Sequence, residues 1–516
     1  MGGSPPRPGD RHRIDSIPAI APGPYVNGTA SRQVLRNTLW LVAAQLIAAP
    51  LSFITNAVAA RKLGPGDFGH LYIATTFSAM ALLLVEWGQG GAMTARIAQQ
   101  RDRTGLLLGS GLAWRLCAAP PAILIVLLTG AVLGYSPGLL FVMLLVLLTA
   151  TFGTLSSGCL DALRGLERID ISASAYAVWQ VLTVLTVVPT LLYGGGLHGM
   201  LFAQMGCAAL GAVLMWRLLA RFGIRHLSAR IGVTRELVHA GTAFMIFNLV
   251  MVLQPNLDAI FLSKFASSAA VGWYAVAGKL TGILIFPATA LIASLYPALC
   301  RLRVENQAAF RSTAASALHL TTLAAAPLAM GCLLFPELGI RIFGGNSYEP
   351  AASDLRLLAP YVLLLYMTMP LGTTLLAAGR QRAWTAAQFI CVIVSVVADP
   401  LLIPRLQHHT GNGGLGICIA MLISETLMLL SAFWLLPAGI LTRSLLRPLI
   451  AAAAGAIAMA VVSRALPDMN LWITASLALL AYAVTVWFGG GLDQRQRQQL
   501  RAWLRRRAAT TPPAAL

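Results

Sequence analysis

Apolar runs of about twenty residues recur from residue 37 to residue 490, separated by short clusters rich in Arg, Gly, Pro and Asn. Twenty apolar residues form a helix about 30 Å long, enough to cross the hydrocarbon core of a bilayer. Strands of a membrane β-barrel would give short segments of alternating polarity, and that alternation is absent. The pattern predicts an all-α, polytopic membrane protein with about fourteen transmembrane helices. Run length and breaks place them near 37–60, 69–91, 106–134, 138–160, 171–193, 196–219, 238–262, 270–297, 312–335, 355–378, 383–404, 413–437, 445–466 and 470–490.

Two tracts echo each other. "RKLGPGDFGHLYIA" (Arg61–Ala74) and "SKFASSAAVGWYAVA" (Ser263–Ala277) each follow an apolar run, carry a cation, pass through small residues, and give a glycine, an aromatic and an alanine-rich start to the next run. Gly69 and Gly272 lie 203 positions apart. A second echo joins "RGLER" (Arg164–Arg168), after span four, to "AGRQR" (Ala378–Arg382), after span ten. Both echoes relate spans six apart, an even number, so the copies cross the membrane in the same direction. A parallel repeat of this kind predicts two six-helix bundles about an axis along the membrane normal, with a cavity between them. The chain then divides into a disordered cytoplasmic tail (1–35), an N-terminal six-helix bundle (36–220), a C-terminal six-helix bundle (236–437), two additional transmembrane helices (445–490) and a basic cytoplasmic tail (491–516).

Composition sharpens this picture. Of 516 residues, 57% are hydrophobic and 11% charged, against about a quarter charged in soluble domains. The net charge of +19 would suggest nucleic acid in a soluble chain, but the positions of the cations argue for topology instead. With the N-terminus inside, 28 of the 37 Lys and Arg residues fall in cytoplasmic segments, seven in outer loops and two within spans. That bias follows the positive-inside rule and places both termini in the cytoplasm. The C-terminal "RQRQQLRAWLRRR" suits a short basic amphipathic helix on the inner leaflet. The seven cysteines are scattered in or beside apolar runs, which argues against both a metal cluster and a disulfide framework. The N-terminal segment has no apolar core of a signal peptide, and Pro6 departs from the myristoylation pattern.

With these residues in place, the chain resembles the bacterial polysaccharide transporters, the oligosaccharide flippases of the multidrug/oligosaccharidyl-lipid/polysaccharide exporter superfamily. The likeness rests on "LGPGDFGHLY", "LDAIFLSKFASSAAVGWYAVAGKL", "LYPAL", "IRIFGGNSYEPAASDLRLLAPYVLL", "LAAGRQR" and "GLGICIAMLISE", in family order between about residues 35 and 435. The resemblance implies two six-helix bundles working by alternating access. It also implies a lipid-linked oligosaccharide cargo, usually a polyprenyl-diphosphate repeat unit, moved across the bacterial inner membrane for surface or exopolysaccharide assembly. Other polysaccharide-assembly proteins are possible partners in that setting, and no cofactor is expected. A multidrug/cation antiporter and a peptidoglycan-precursor flippase are the alternatives within the superfamily. A membrane polymerase or ligase is the alternative from another class, disfavoured because the longest outer loop, near 337–354, leaves little room for a catalytic domain.

Charges within the spans are the candidate substrate or ion pathway, because a charge near the middle of a bilayer costs about 2.5–3.5 kcal/mol on insertion scales. Glu86 and Arg115 fall towards the inner ends of spans two and three, Asp258 and Lys279 towards the outer ends of spans seven and eight, and Glu425 in span twelve. Each of the first four can pair with its neighbour across adjacent helices, or line a wet cavity that meets diphosphate or acidic sugar. Asp258 can also carry a coupling proton or Na⁺. No catalytic residue is assigned. "GNGGLG" (Gly411–Gly416) lacks the βαβ context of a dinucleotide site, no P-loop is present, and the adjacent His408 and His409 lack metal-ligand spacing. Pro50, Pro287 and Pro370 sit inside apolar spans, where they bend helices or free backbone groups.

Overall fold

The computed structural model describes residues 28–224, 226–440, 446–467 and 469–491, and among these every regular element is helical. The segment before Gly28 and the basic tail, including the expected amphipathic helix, lie outside the described residues. In chain order the helices are α1 (Gly28–Glu86), α2 (Gln89–Gln99), α3 (Thr104–Val132), α4 (Pro137–Gly165), α5 (Ile169–Leu192), α6 (Gly196–Arg221), α7 (Ile231–Phe265) and α8 (Ser268–Glu305). They continue as α9 (Gln307–Leu334), α10 (Pro336–Phe343), α11 (Ala351–Ala377), α12 (Gln381–Thr410), α13 (Gly414–Leu435), α14 (Leu446–Ala465) and α15 (Leu471–Phe488).

A straight α1 would be about 88 Å long at 1.5 Å per residue, far more than a bilayer needs. It is interrupted at Gly64, with φ 75° and ψ 172°, a region that only glycine occupies readily. The residues on either side show a reversal. Ser52, before the break, shares a cavity with Lys279 of α8, while Gly69, after it, packs on Ser268 and Gly272 of the same helix. Both arms therefore run from the Gly64 turn towards the opposite membrane face. In the echoed tract the same turn is built differently, by extended Ala266 and by Ser267, whose hydroxyl accepts the Ala270 N–H at 3.2 Å and caps α8.

Twelve described helices are long and apolar enough to cross a membrane. One of them is α1 with its two arms; α7, 35 residues long, is not among the twelve, but it runs from Val233 in the core at the arginine-rich end to Leu262 in the core at the Gly64 end and so adds another crossing. Fourteen membrane-crossing segments result.

The apolar cores show how the halves join. At the Gly64 end, one continuous core takes in Phe68, Phe77, Leu139 and Leu201 from the first half and Leu262, Val276, Phe343 and Leu358 from the second. At the opposite, arginine-rich end the core divides. One cluster holds Met93, Leu108 and Leu163 with Val233 and Leu237 of α7; others hold Leu318, Leu371 and Trp384, and Leu299 and Phe310, all from the second half. The opening residues of α7 thus pack with the first half, and its later residues pack on both halves, Asp258 on Ser395 of the second and Ser263 on Tyr135 of the first. The extra helices α14 and α15 sit on α9, where the Tyr482 hydroxyl donates to the Leu323 carbonyl at 2.7 Å and His319 Nε2 donates to the Gly491 carbonyl at 2.6 Å. A methyl group on Gly455 would strike the Tyr482 ring, so this small position in the alanine-rich α14 permits close packing.

Candidate functional site

The seal at the Gly64 end is built from the echoed tracts. A Cβ on Gly69 would overlap the Ser268 carbonyl oxygen, and one on Gly272 would overlap that of Pro65. Backbone meets backbone there with no side chain between. Aromatic edges close the rest: Phe53 on Phe343 with centroids 5.2 Å apart, Phe68 on Tyr348 at 6.2 Å, and Tyr72 on Tyr274 at 6.2 Å.

Two cations lock the seal reciprocally. Arg61, just before the first turn, donates to the carbonyls of Phe343, Arg341 and Ile342 at 3.3, 2.9 and 2.6 Å, at the C-terminus of α10 in the second half. Lys264, just before the second turn, donates to the carbonyl of Leu133 at the C-terminus of α3 in the first half and lies over the Tyr135 ring. Free carbonyls and the helix dipole make a C-terminus attractive to a cation. The Tyr348 hydroxyl adds a bond to the Ala60 carbonyl at 3.0 Å, and Tyr135 and Ser263 hydroxyls meet at 2.5 Å. The expected open loop near 337–354 is in large part α10 and a 3-10 turn (Asn346–Tyr348), folded into this seal.

Below the seal, a cavity of about 350 Å³ lies between the halves. Its polar lining is Gln45, Ser52 and Asn56 of α1, Tyr176 and Gln180 of α5, and Lys279 of α8. Lys279 is eleven residues into α8, about 16 Å along the helix, and no carboxylate lies within ion-pair distance among the described residues. It is a cation held near the bilayer centre between neutral hydrogen-bonding groups.

Asp258 does not face Lys279. It points into a separate cavity of about 300 Å³ inside the second half, with Gln254, Tyr361, Gln388, Ser424 and Glu425. The Ser395 hydroxyl donates to Asp258 Oδ1 at 3.0 Å. Beside Asp258 stands Asp399 of α12, fully buried, whose carboxyl faces that of Asp258. No N–H or hydroxyl donor satisfies either Asp399 oxygen, and Glu425 Oε1 is likewise without a donor. Two adjacent carboxylates in a buried site cannot both hold a bare negative charge; a shared proton or a bound cation is required. Sequence reasoning reached Asp258 and Glu425 and missed Asp399, although the acid in "VVADPLLIP" stands in mid-run.

Glu86 and Arg115 come together indirectly. The Ser157 hydroxyl donates to Glu86 Oε1 at 3.2 Å and accepts from Arg115 Nη1 at 3.1 Å. Arg115 is 1% exposed, donates to the Thr154 carbonyl, and stands 3.6 Å from Asp161, which also meets Arg164 at 3.2 Å. Gly158 leaves room for the guanidinium, because a Cβ there would lie 2.7 Å from Arg115 Nη1. This network ties the second arm of α1 to α3 and α4 and lines neither polar cavity. Asp161 was the partner sequence reasoning did not name.

A helical membrane protein of two repeated halves, sealed at one end over a cationic cavity, is the class these features define. A family model described as polysaccharide biosynthesis protein matches residues 34–303, and a second, MatE, matches residues 243–401. The chain belongs to the polysaccharide biosynthesis protein family. It is 21% identical over 383 residues to a probable low-salt glycan biosynthesis flippase, Agl15, of Haloferax volcanii, covering 71% of this chain and 77% of that protein. Its fold is similar to that of the lipid II flippase MurJ in an inward closed conformation, with TM-score 0.67, 13% identity, and 87% of this chain and 98% of that one covered. An inward-facing MATE multidrug resistance transporter of the MOP superfamily gives TM-score 0.61, 15% identity, and 77% and 97% covered.

Proposed function

We propose that this protein is a flippase for lipid-linked oligosaccharides, carrying polyprenyl-diphosphate-linked repeat units across the inner membrane by alternating access and without covalent chemistry. The observation that carries the reading is the unpaired Lys279 in a cavity between two halves that are sealed at the Gly64 end and divided at the other. An isolated cation at that depth needs a reason, and a diphosphate supplies the counter-charge, while Gln45, Asn56 and Gln180 offer hydrogen bonds to sugar hydroxyls. The positive-inside bias assigns the arginine-rich end to the cytoplasm, with both termini inside, so the conformation described is closed to the outside.

Transport is coupled to a proton or Na⁺ taken up between Asp258 and Asp399. That acidic cavity lies within the second half alone, so it suits a small coupling ion better than a bulky cationic drug. Since α7 carries Asp258 and packs on both halves, ion binding acts on the helix that joins them. Pro255, three residues from Asp258, removes a backbone hydrogen bond and provides a bending point.

The reading is tested by leaflet accessibility of the lipid-linked repeat unit in host cells lacking this protein. The intermediate should accumulate facing inward and be cleared by wild type; normal outward exposure without the protein would overturn the reading.

A further inference from the structure

A third cavity, of about 540 Å³, is unlike the two polar ones. It is a crevice where α3 and α6 flank α4, lined by Leu112 and Leu116, Leu155 and Cys159, and Val213 and Trp216. Leu116, Val213 and Trp216 are exposed, so the crevice opens on the perimeter of the protein, away from the cavity of α1, α5 and α8. Its depth can be read on all three helices. The lining residues lie about five to thirteen positions from Thr104, Gly165 and Arg221, the arginine-rich ends. That is about 8–20 Å of helix, the acyl-chain layer of one leaflet.

The arginine-rich end of the crevice is closed by the linker between the halves. Leu227, Ser228 and Ala229 form this rim, and a Cβ on Gly109 would overlap the Ser228 carbonyl oxygen. The Arg230 N–H donates to Ser110 Oγ at 3.2 Å, fixing the linker against α3. From Arg217 to Arg235 the chain carries five arginines and no carboxylate. Four other arginines at this end are neutralised: Arg96 by Glu236, Arg101 by Glu167, Arg164 by Asp161, Arg168 by Asp170. Arg217, Arg221 and Arg230 are exposed and have no such partner among the described residues. An apolar slot at acyl depth beneath uncompensated cations at headgroup height is complementary to an anionic amphiphile.

We infer that this crevice binds one anionic phospholipid, its acyl chain between Leu116 and Trp216 and its headgroup at Arg217, Arg221 and Arg230. The bound lipid braces the linker that joins the two halves. This site is separate from the cargo path and goes beyond the transport reading.

The test is quenching of Trp216 fluorescence, taken as wild type minus Trp216→Phe, in nanodiscs doped with brominated phosphatidylglycerol or brominated phosphatidylcholine. Half-quenching should come at an about fivefold lower mole fraction of the anionic lipid, the scale of one basic residue at an anionic surface. The triple variant Arg217→Gln, Arg221→Gln, Arg230→Gln should erase that preference, and Ala212→Phe, which fills the crevice, should weaken quenching by both lipids. Leu128→Phe, an exposed position on the far part of the same helix α3, controls for folding through elution profile and melting temperature. Equal quenching by both lipids in the wild type overturns the inference. So does absence of quenching, which means protein covers the crevice, or relief of quenching by added polyprenyl diphosphate, which assigns it to cargo.

Discussion

Gly69 and Gly272 occupy matching positions in the two halves, and they meet. A Cβ on Gly69 would lie 3.1 Å from the Gly272 amide nitrogen, besides overlapping the Ser268 carbonyl. The sequence echo is therefore a contact: each tract is the other's packing surface, and glycine is needed because backbone approaches backbone. Gly272→Val should oppose closure by about 1–3 kcal/mol, the usual scale of overpacking. In a background without the native cysteines, Ser52→Cys should then react faster with an impermeant maleimide added outside, and transport should fall.

The reciprocal cation contacts should be individually modest. Arg61 and Lys264 are exposed, and a cation at a helix C-terminus contributes about 0.3–1 kcal/mol. Arg61→Gln or Lys264→Gln should raise outside labelling of the same cysteine about twofold to fivefold, and the double variant more than either. An unchanged labelling rate in the double variant would show that the glycine and aromatic contacts close the seal alone.

Lys279 should matter through its charge. Lys279→Gln should lower transport of a diphosphate-linked substrate by at least about tenfold, the scale of a lost charge-assisted hydrogen bond, and Lys279→Arg should restore part of it. Protein yield and melting temperature should be unchanged, because the side chain has no ion-pair partner to strand.

Asp258→Asn and Asp399→Asn should remove dependence on the driving ion. In proteoliposomes, wild-type transport should respond to an imposed proton or Na⁺ gradient, and which of the two acts identifies the ion. Each variant should be insensitive to both. A variant that keeps the wild-type response would separate this carboxyl pair from coupling.

Arg115 should behave as a structural residue. Arg115→Leu leaves buried Asp161 with Arg164 as its remaining cation, so the cost should fall below the roughly 3–5 kcal/mol of breaking a buried pair outright. A clear drop in melting temperature is expected, partly recovered by adding Asp161→Asn.

Much of this architecture was legible in the chain because membrane crossing imposes a length and polarity rule on every helix. The turn at Gly64, the repeat, and the fourteen crossings follow from run length, arginine placement and the echoed tracts. What was not legible is rotation of each helix about its own axis. Asp258 and Lys279 lie at similar depth on neighbouring helices, and depth alone left open a pair or a cavity lining; they face different cavities. Asp399 comes from a helix distant in sequence and Asp161 from the helix after that of Arg115, and in neither case does local spacing mark the partner. The outer segment near 337–354 reads as a polar loop, but Ile340, Phe343 and Tyr348 are buried in the seal, and that burial depends on aromatic partners from the first half.

The most direct measurement is flipping by the purified protein alone. Proteoliposomes should hold a polyprenyl-diphosphate-linked oligosaccharide in both leaflets, and an impermeant glycosidase should be added outside. Without transport only the outer-leaflet half is digested. With wild type and the appropriate ion gradient, digestion should proceed towards completion, and Lys279→Gln should leave it near half. Digestion that stops at half with active, folded wild type under both proton and Na⁺ gradients would contradict a flippase.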